Sequence, residues 1–113
     1  MDLVNKVFNL TSKLNPAISK LAEHGRALAL AEKEYKITLR QEALKLRVEK
    51  SMPVTLINQI VYGVREVAEK RYLRDIEETM YNVAREYINT LKLEIRITES
   101  QLDKEWANAK RGT

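Results

Sequence analysis

Between Gly63 and Gly112 the chain runs for 48 residues with neither glycine nor proline, and apolar side chains return every three or four positions throughout. Ile76, Met80, Val83, Tyr87, Leu91, Ile95, Leu102 and Ala109 form that stripe, the mark of one long amphipathic helix. At about 1.5 Å per residue such a helix is about 70 Å long, more than the width of a compact domain of this mass. The expected object is a rod of helices.

The first half repeats the pattern. Leu3, Val7, Leu10, Leu14, Ala17, Leu21, His24, Leu28, Ala31 and Tyr35 alternate steps of four and three, a heptad seam that loosens afterwards through Leu39, Ala43 and Leu46. Pro16 interrupts it chemically, because its ring removes a helix hydrogen bond and crowds the preceding turn. Asn15 could cap a new helix with Pro16 at its first position. The heptad phase survives, so a kink or two nearly collinear segments are expected at residues 15–16.

Ser51, Met52 and Pro53 end this element, since the residue before a proline is pushed out of helical geometry. Thr55 then reads as the cap of a short helix from Leu56 to Tyr62, closed by Gly63. The expected fold is therefore all-α: a long antiparallel helical hairpin, coiled-coil-like, in a single domain over residues 1–113. Arm one spans 2–51, the turn 52–63 and arm two 64–111. A reversal near Ile57 pairs residues whose numbers add to about 115, setting Leu46 near Ala68, Tyr35 near Met80, Leu28 near Tyr87, Lys20 near Glu94 and Phe8 near Trp106. Val54, Leu56, Ile57 and Ile60 then close the end of the seam, with Tyr62 beside it.

Some apolar residues do not fit this seam. Ile37, Leu44 and Val48 lie on one flank of arm one, and Leu73, Leu93 and Ile97 lie off the main stripe of arm two. Flanking stripes on both arms predict a homodimer that completes a four-helix bundle. Alternatively, residues 1–14 fold back and cover those flanks within one chain.

With 44% hydrophobic and 32% charged residues, the composition suits long solvated helices more than a globular core. The chain has no cysteine, which removes disulfides and thiolate metal sites. No apolar run approaches a membrane span and the amino terminus lacks a signal-peptide core, so a cytoplasmic protein is expected. His24 is the only histidine, so a paired-histidine metal motif cannot be built. Glu66 with Lys70 and Glu32 with Lys36 have the spacing of ordinary helix ion pairs. No phosphate loop, nucleophile elbow or catalytic triad can be assembled. The expectation is no enzyme, no cofactor and no metal.

Residues 1–62 hold ten Lys/Arg against six acids, while residues 63–113 hold ten of each. Lys6, Lys13 and Lys20 recur every seven positions, followed in a shifted frame by Arg26, Lys33, Arg40 and Arg47. Such a line is the usual solvated face of a coiled coil, or a track for a nucleic-acid backbone through Lys33, Lys36, Arg40 and Arg47. Residues 55–70 also have the outline of a helix-turn-helix, but Glu69 stands where that motif buries an aliphatic residue, and a hairpin cap accounts for the segment better.

Pro53-Val54-Thr55-Leu56-Ile57 with Gly63, followed by Tyr87-Ile88-Asn89, Lys92, Ile95-Arg96 and Trp106, resembles small helical proteins of phages and prophages of Gram-positive bacteria. The likeness covers residues 33–107, and Val64 departs from the acidic residue that tends to follow the turn glycine there. The resemblance implies a phage-related setting among early genes of DNA metabolism and supplies no catalytic residues. The functional expectation is a non-enzymatic interaction protein that binds a host or phage protein such as a replication factor. The alternative is a nucleic-acid-binding accessory protein in phage replication or recombination.

Overall fold

A computed structural model describes residues 2–112. The fold is an all-α helical hairpin. Helix α1 spans Leu3–Ser12, α2 Leu14–Glu49, α3 Val54–Ile60 and α4 Arg65–Arg111, with a single 3-10 turn at Val61–Gly63 between α3 and α4. The glycine-free stretch thus became one helix of 47 residues. Two compact units divide the chain: residues 23–81, and residues 1–22 together with 82–113.

Helix α1 is capped by Asp2, whose carboxylate accepts the Asn5 N–H at 2.8 Å. The interruption that follows is at Lys13, three residues before the proline. Pro16 has no N–H to offer the Ser12 carbonyl and its ring crowds that same group. Starting α2 at Leu14 puts Pro16 in the first turn, where an amide has no helical partner to lose. Lys13 stays in right-handed helical geometry and its own carbonyl accepts the Ala17 N–H at 3.1 Å, so the break is a single residue wide.

In the unit formed by residues 1–22 and 82–113, Leu10, Ala17, Ile88 and Leu91 make the core, with Leu14, Leu21 and Ile95 packed on it. Val4 borders a hollow with Leu102 and Trp106. Residues 2–14 therefore continue along α4 and do not fold back. Thr98 is buried in the same inward row, and its hydroxyl is satisfied by donating to the Glu94 carbonyl at 2.8 Å.

In the unit of residues 23–81, Tyr35, Ile57, Val61 and Val67 form the core, joined by Leu39, Ala43, Leu46, Met52 and Val64. Gly25 faces the Tyr81 ring and Glu32 meets Arg74, pairs whose numbers add to 106. The reversal is centred on Pro53, not Ile57. The physical reason is the turn segment: Ile57 of α3 and Val61 of the 3-10 turn join the core on which Ala43 and Leu46 pack, so the last turns of α2 are covered by the turn segment and α4 begins lower on α2.

The capping residue of α3 is Pro53, whose carbonyl accepts the N–H groups of Leu56 and Ile57 at 3.0 Å; no side chain caps this helix, and Thr55 lies inside it. Only the i, i+4 pair Ile57 and Val61 turns inward. Val54, Leu56, Ile60 and Tyr62 are exposed, because a helix of seven residues buries one narrow face.

At the end of α2 the chain turns through Ser51, which has φ of 51° and is the only non-glycine residue in the left-handed region among the described residues. The Met52 N–H then reaches back to the Leu46 carbonyl at 3.3 Å, and Arg47 Nη1 donates to the Met52 carbonyl at 3.0 Å. A left-handed conformation costs an ordinary residue about 1–2 kcal/mol, part of which glycine gives back through its unfolded-state entropy. Ser51→Gly is expected to raise the unfolding free energy by about 0.5–1 kcal/mol and Ser51→Val to lower it by at least about 1 kcal/mol. Urea titrations of the two variants check the opposite signs.

Candidate interaction surface

The rotation of α4 decides which side chains are available to partners. Its inward row is Val67, Lys70, Arg74, Glu77, Tyr81, Ala84, Ile88, Leu91, Ile95, Thr98 and Leu102, each buried or half-buried. Ile76, Met80, Val83 and Tyr87, expected on the inward stripe, are all exposed. They sit one residue before Glu77, Tyr81, Ala84 and Ile88, which is about 100° round the helix. The anchors at Val67 and at Ile88 with Leu91 are in heptad phase with each other, and they carry the polar residues between them inward.

Arg74 shows how the unit of residues 23–81 accommodates that polar row. Its guanidinium lies 4.9 Å from the centre of the Tyr35 ring, with Nη1 3.3 Å from Glu32 Oε2 and Nη2 2.9 Å from Asp75 Oδ1. Partial burial lowers the pKa of Arg74, but hydrogen bonds to Asp75 and Glu32, with the attraction of both carboxylates, outweigh it and hold the group above the ordinary arginine value. The raised pKa contributes stability at every pH below that ordinary value, lost only as pH climbs through the folded one. A double-mutant cycle of Arg74→Ala and Glu32→Ala should give a coupling of about 0.5–1 kcal/mol, because the pair is partly solvated. No measurable coupling would show that the cation–ring contact, not the ion pair, holds Arg74 in place.

The exposed apolar residues gather on one face of this unit. Leu30 and Leu73, from α2 and α4, share a shallow hollow with Ala27 and Ala31, rimmed by Lys70 and Glu77. Ile37 and Leu44 follow Leu30 at intervals of seven, and Val48 continues beside them in a second hollow with Leu44 and Gln41. Leu73, Ile76 and Met80 form the matching row on α4. Of the residues expected to mediate association, Ile37, Leu44, Val48 and Leu73 therefore belong to this unit, all exposed. Leu93 and Ile97, also exposed, belong to the other.

Sequence reasoning left out Leu30 and assigned Ile76 and Met80 to the interior. The signal for Leu30 was its seven-residue spacing from Ile37.

The basic residues are divided. Lys33, Arg40 and Arg47 are exposed and, with Arg26, occupy one outward row of α2. Lys36 lies off that row and pairs with Glu32 at 3.7 Å, and Arg47 is tied to the Met52 carbonyl. Glu42, on the same helix, is buried and paired with Lys45 at 3.4 Å. His24 is half-buried on the seam. Among the described residues no cluster of histidine or carboxylate side chains could hold a metal ion, and no helix is long and apolar enough to cross a membrane. Neither family models nor curated proteins nor solved structures gave a match to this chain.

Proposed function

We propose that the chain is a non-enzymatic helical interaction protein of phage or prophage setting, acting in the host cytoplasm by binding a host or replication protein. The observation that supports this reading is the placement of apolar side chains: beside the face of Leu30, Ile37, Leu44, Val48, Leu73, Ile76 and Met80, the residues Leu93 and Ile97 of α4 and Val54, Leu56, Ile60 and Tyr62 of the turn are all exposed, while Lys70, Arg74 and Glu77 are inside. Exposed apolar rows of this length mark surfaces that other helices cover. Affinity purification from infected cells, comparing wild type with Ile97→Glu and Tyr62→Ala, tests it. The expected result is a discrete protein partner lost with at least one variant. Recovery of the same proteins by wild type and both variants would count against these surfaces.

A second reading, a nucleic-acid-binding accessory protein, draws on the outward row of Arg26, Lys33, Arg40 and Arg47. It requires a mobility shift that weakens steeply with salt and falls when Arg40 and Arg47 become Glu.

A further inference from the structure

We infer that the apolar face of the unit of residues 23–81 binds the same face of a second copy of this chain, with α2 of each copy lying against α4 of the other. This deepens the proposed interaction function by assigning one surface to self-association, and leaves partner binding to the rest of the molecule.

Two apolar rows stand side by side on that face. Leu30, Ile37 and Leu44 come from α2, and Leu73, Ile76 and Met80 from α4; the hollow shared by Leu30 and Leu73 shows that the rows are on the same side. Each of the six is between 39% and 63% exposed. A single peptide helix would cover the groove between the rows and leave their outer halves wet. A pair of antiparallel helices with the same spacing covers both, and the chain itself supplies such a pair. Side chains of this size and exposure present about 600 Å² on each copy, and Val48 with the alkyl stems of Lys33 and Arg40 brings the face near the roughly 800 Å² per partner of a stable interface.

Charge selects between the two ways of pairing such faces about a two-fold axis. If α2 met α2 of the partner, the outward row of Arg26, Lys33, Arg40 and Arg47 would face its own copy and repel it. If α2 meets α4, residues pair across the interface in the register seen within one chain, where Glu32 stands opposite Arg74. Lys33 and Arg40 then run along the stretch of α4 that carries the exposed Glu66 and Glu69. Arg40 stands opposite Glu66, and Lys33 lies about one turn from Glu69.

Sedimentation equilibrium of the full chain tests the surface, and the cysteine-free background allows a test of the arrangement. Wild type is expected to be dimeric at micromolar concentration. Ile37→Glu or Ile76→Glu should weaken the dimer about 100-fold or more, since each would bury a charge, while circular dichroism shows the helices retained. Cross-linking of mixed Lys33→Cys and Glu69→Cys chains with a short bismaleimide, which spans about 10 Å where a disulfide cannot, should give the heterodimer in preference to either homodimer.

A monomer throughout the micromolar range would overturn the inference, as would a dimer that survives both glutamates but is lost with Leu93→Glu or Ile97→Glu. Predominant Lys33→Cys homodimers would overturn the α2-to-α4 arrangement. A monomeric wild type that still recovers a discrete partner lost with Ile97→Glu would sink self-association and leave the partner-binding reading standing.

Discussion

Ile88→Ala is expected to lower the unfolding free energy by about 2–4 kcal/mol, whereas Tyr87→Ala, one residue earlier, should cost no more than about 1 kcal/mol. Ile88 is 5% exposed and packs with Leu10, Ala17 and Leu91, so truncation both removes apolar burial and leaves a void among neighbours held by α1, α2 and α4. Tyr87 is 48% exposed, and alanine at that site gains helix propensity that offsets part of the lost contact. The comparison is a test of helix rotation, because turning α4 by one residue exchanges the two outcomes. Equilibrium urea unfolding of both variants, at equal protein concentration, reads it directly. A larger loss for Tyr87→Ala would refute the heptad frame in which Ile88 points inward.

The same pair shows why arm one was legible and arm two was not. Every seam residue read from arm one, from Leu3 to Leu46, is buried or half-buried, since steps of three and four persist across Pro16 and no rival apolar row is as long. On arm two the stripe passes Val83, Tyr87, Leu91 and Ile95 in consecutive steps of four. Each such step carries the row about 40° round the helix, so the stripe begins on the outer face and ends on the inner one. Reading it as one seam merges two faces. Val67 and Ile88 were the corrective signal: together with Leu91 they define an unbroken frame, but one filled by Lys70, Arg74 and Glu77, which hydrophobicity alone rejects.

The register was missed for a different reason. Counting from Ile57 treated the turn as a symmetric cap, whereas α3 itself lies on the end of α2. Nothing local in residues 54–60 distinguishes the two. The surface for association was half legible. Ile37, Leu44 and Leu73 stand out as residues with no place in the seam, but Ile76 and Met80 could be assigned to it only by knowing how α4 is rotated.

The polar inward row also makes the unit of residues 23–81 improvable, and the double substitution Lys70→Leu with Glu77→Leu is expected to stabilise it by about 2 kcal/mol. Both positions are half-buried, seven residues apart on the inward row of α4, and both border the hollow lined by Leu30 and Ala31. A leucine at either site would bury its side chain against α2 where a charged group now surrenders part of its hydration. The gain is opposed by loss of whatever weak attraction these exposed-edge charges have for their neighbours, which is a fraction of a kcal/mol each. For a chain of this size the net effect corresponds to a rise in melting temperature of about 8–12 °C. Helix content and oligomeric state should be unchanged, since the outward row of Leu73, Ile76 and Met80 is untouched. A variant that melts at or below the wild-type temperature would mean that Lys70 and Glu77 face solvent. The apolar row now assigned to the outer surface would then have to be the true inner seam of the hairpin, and the face inferred for a second copy would no longer exist.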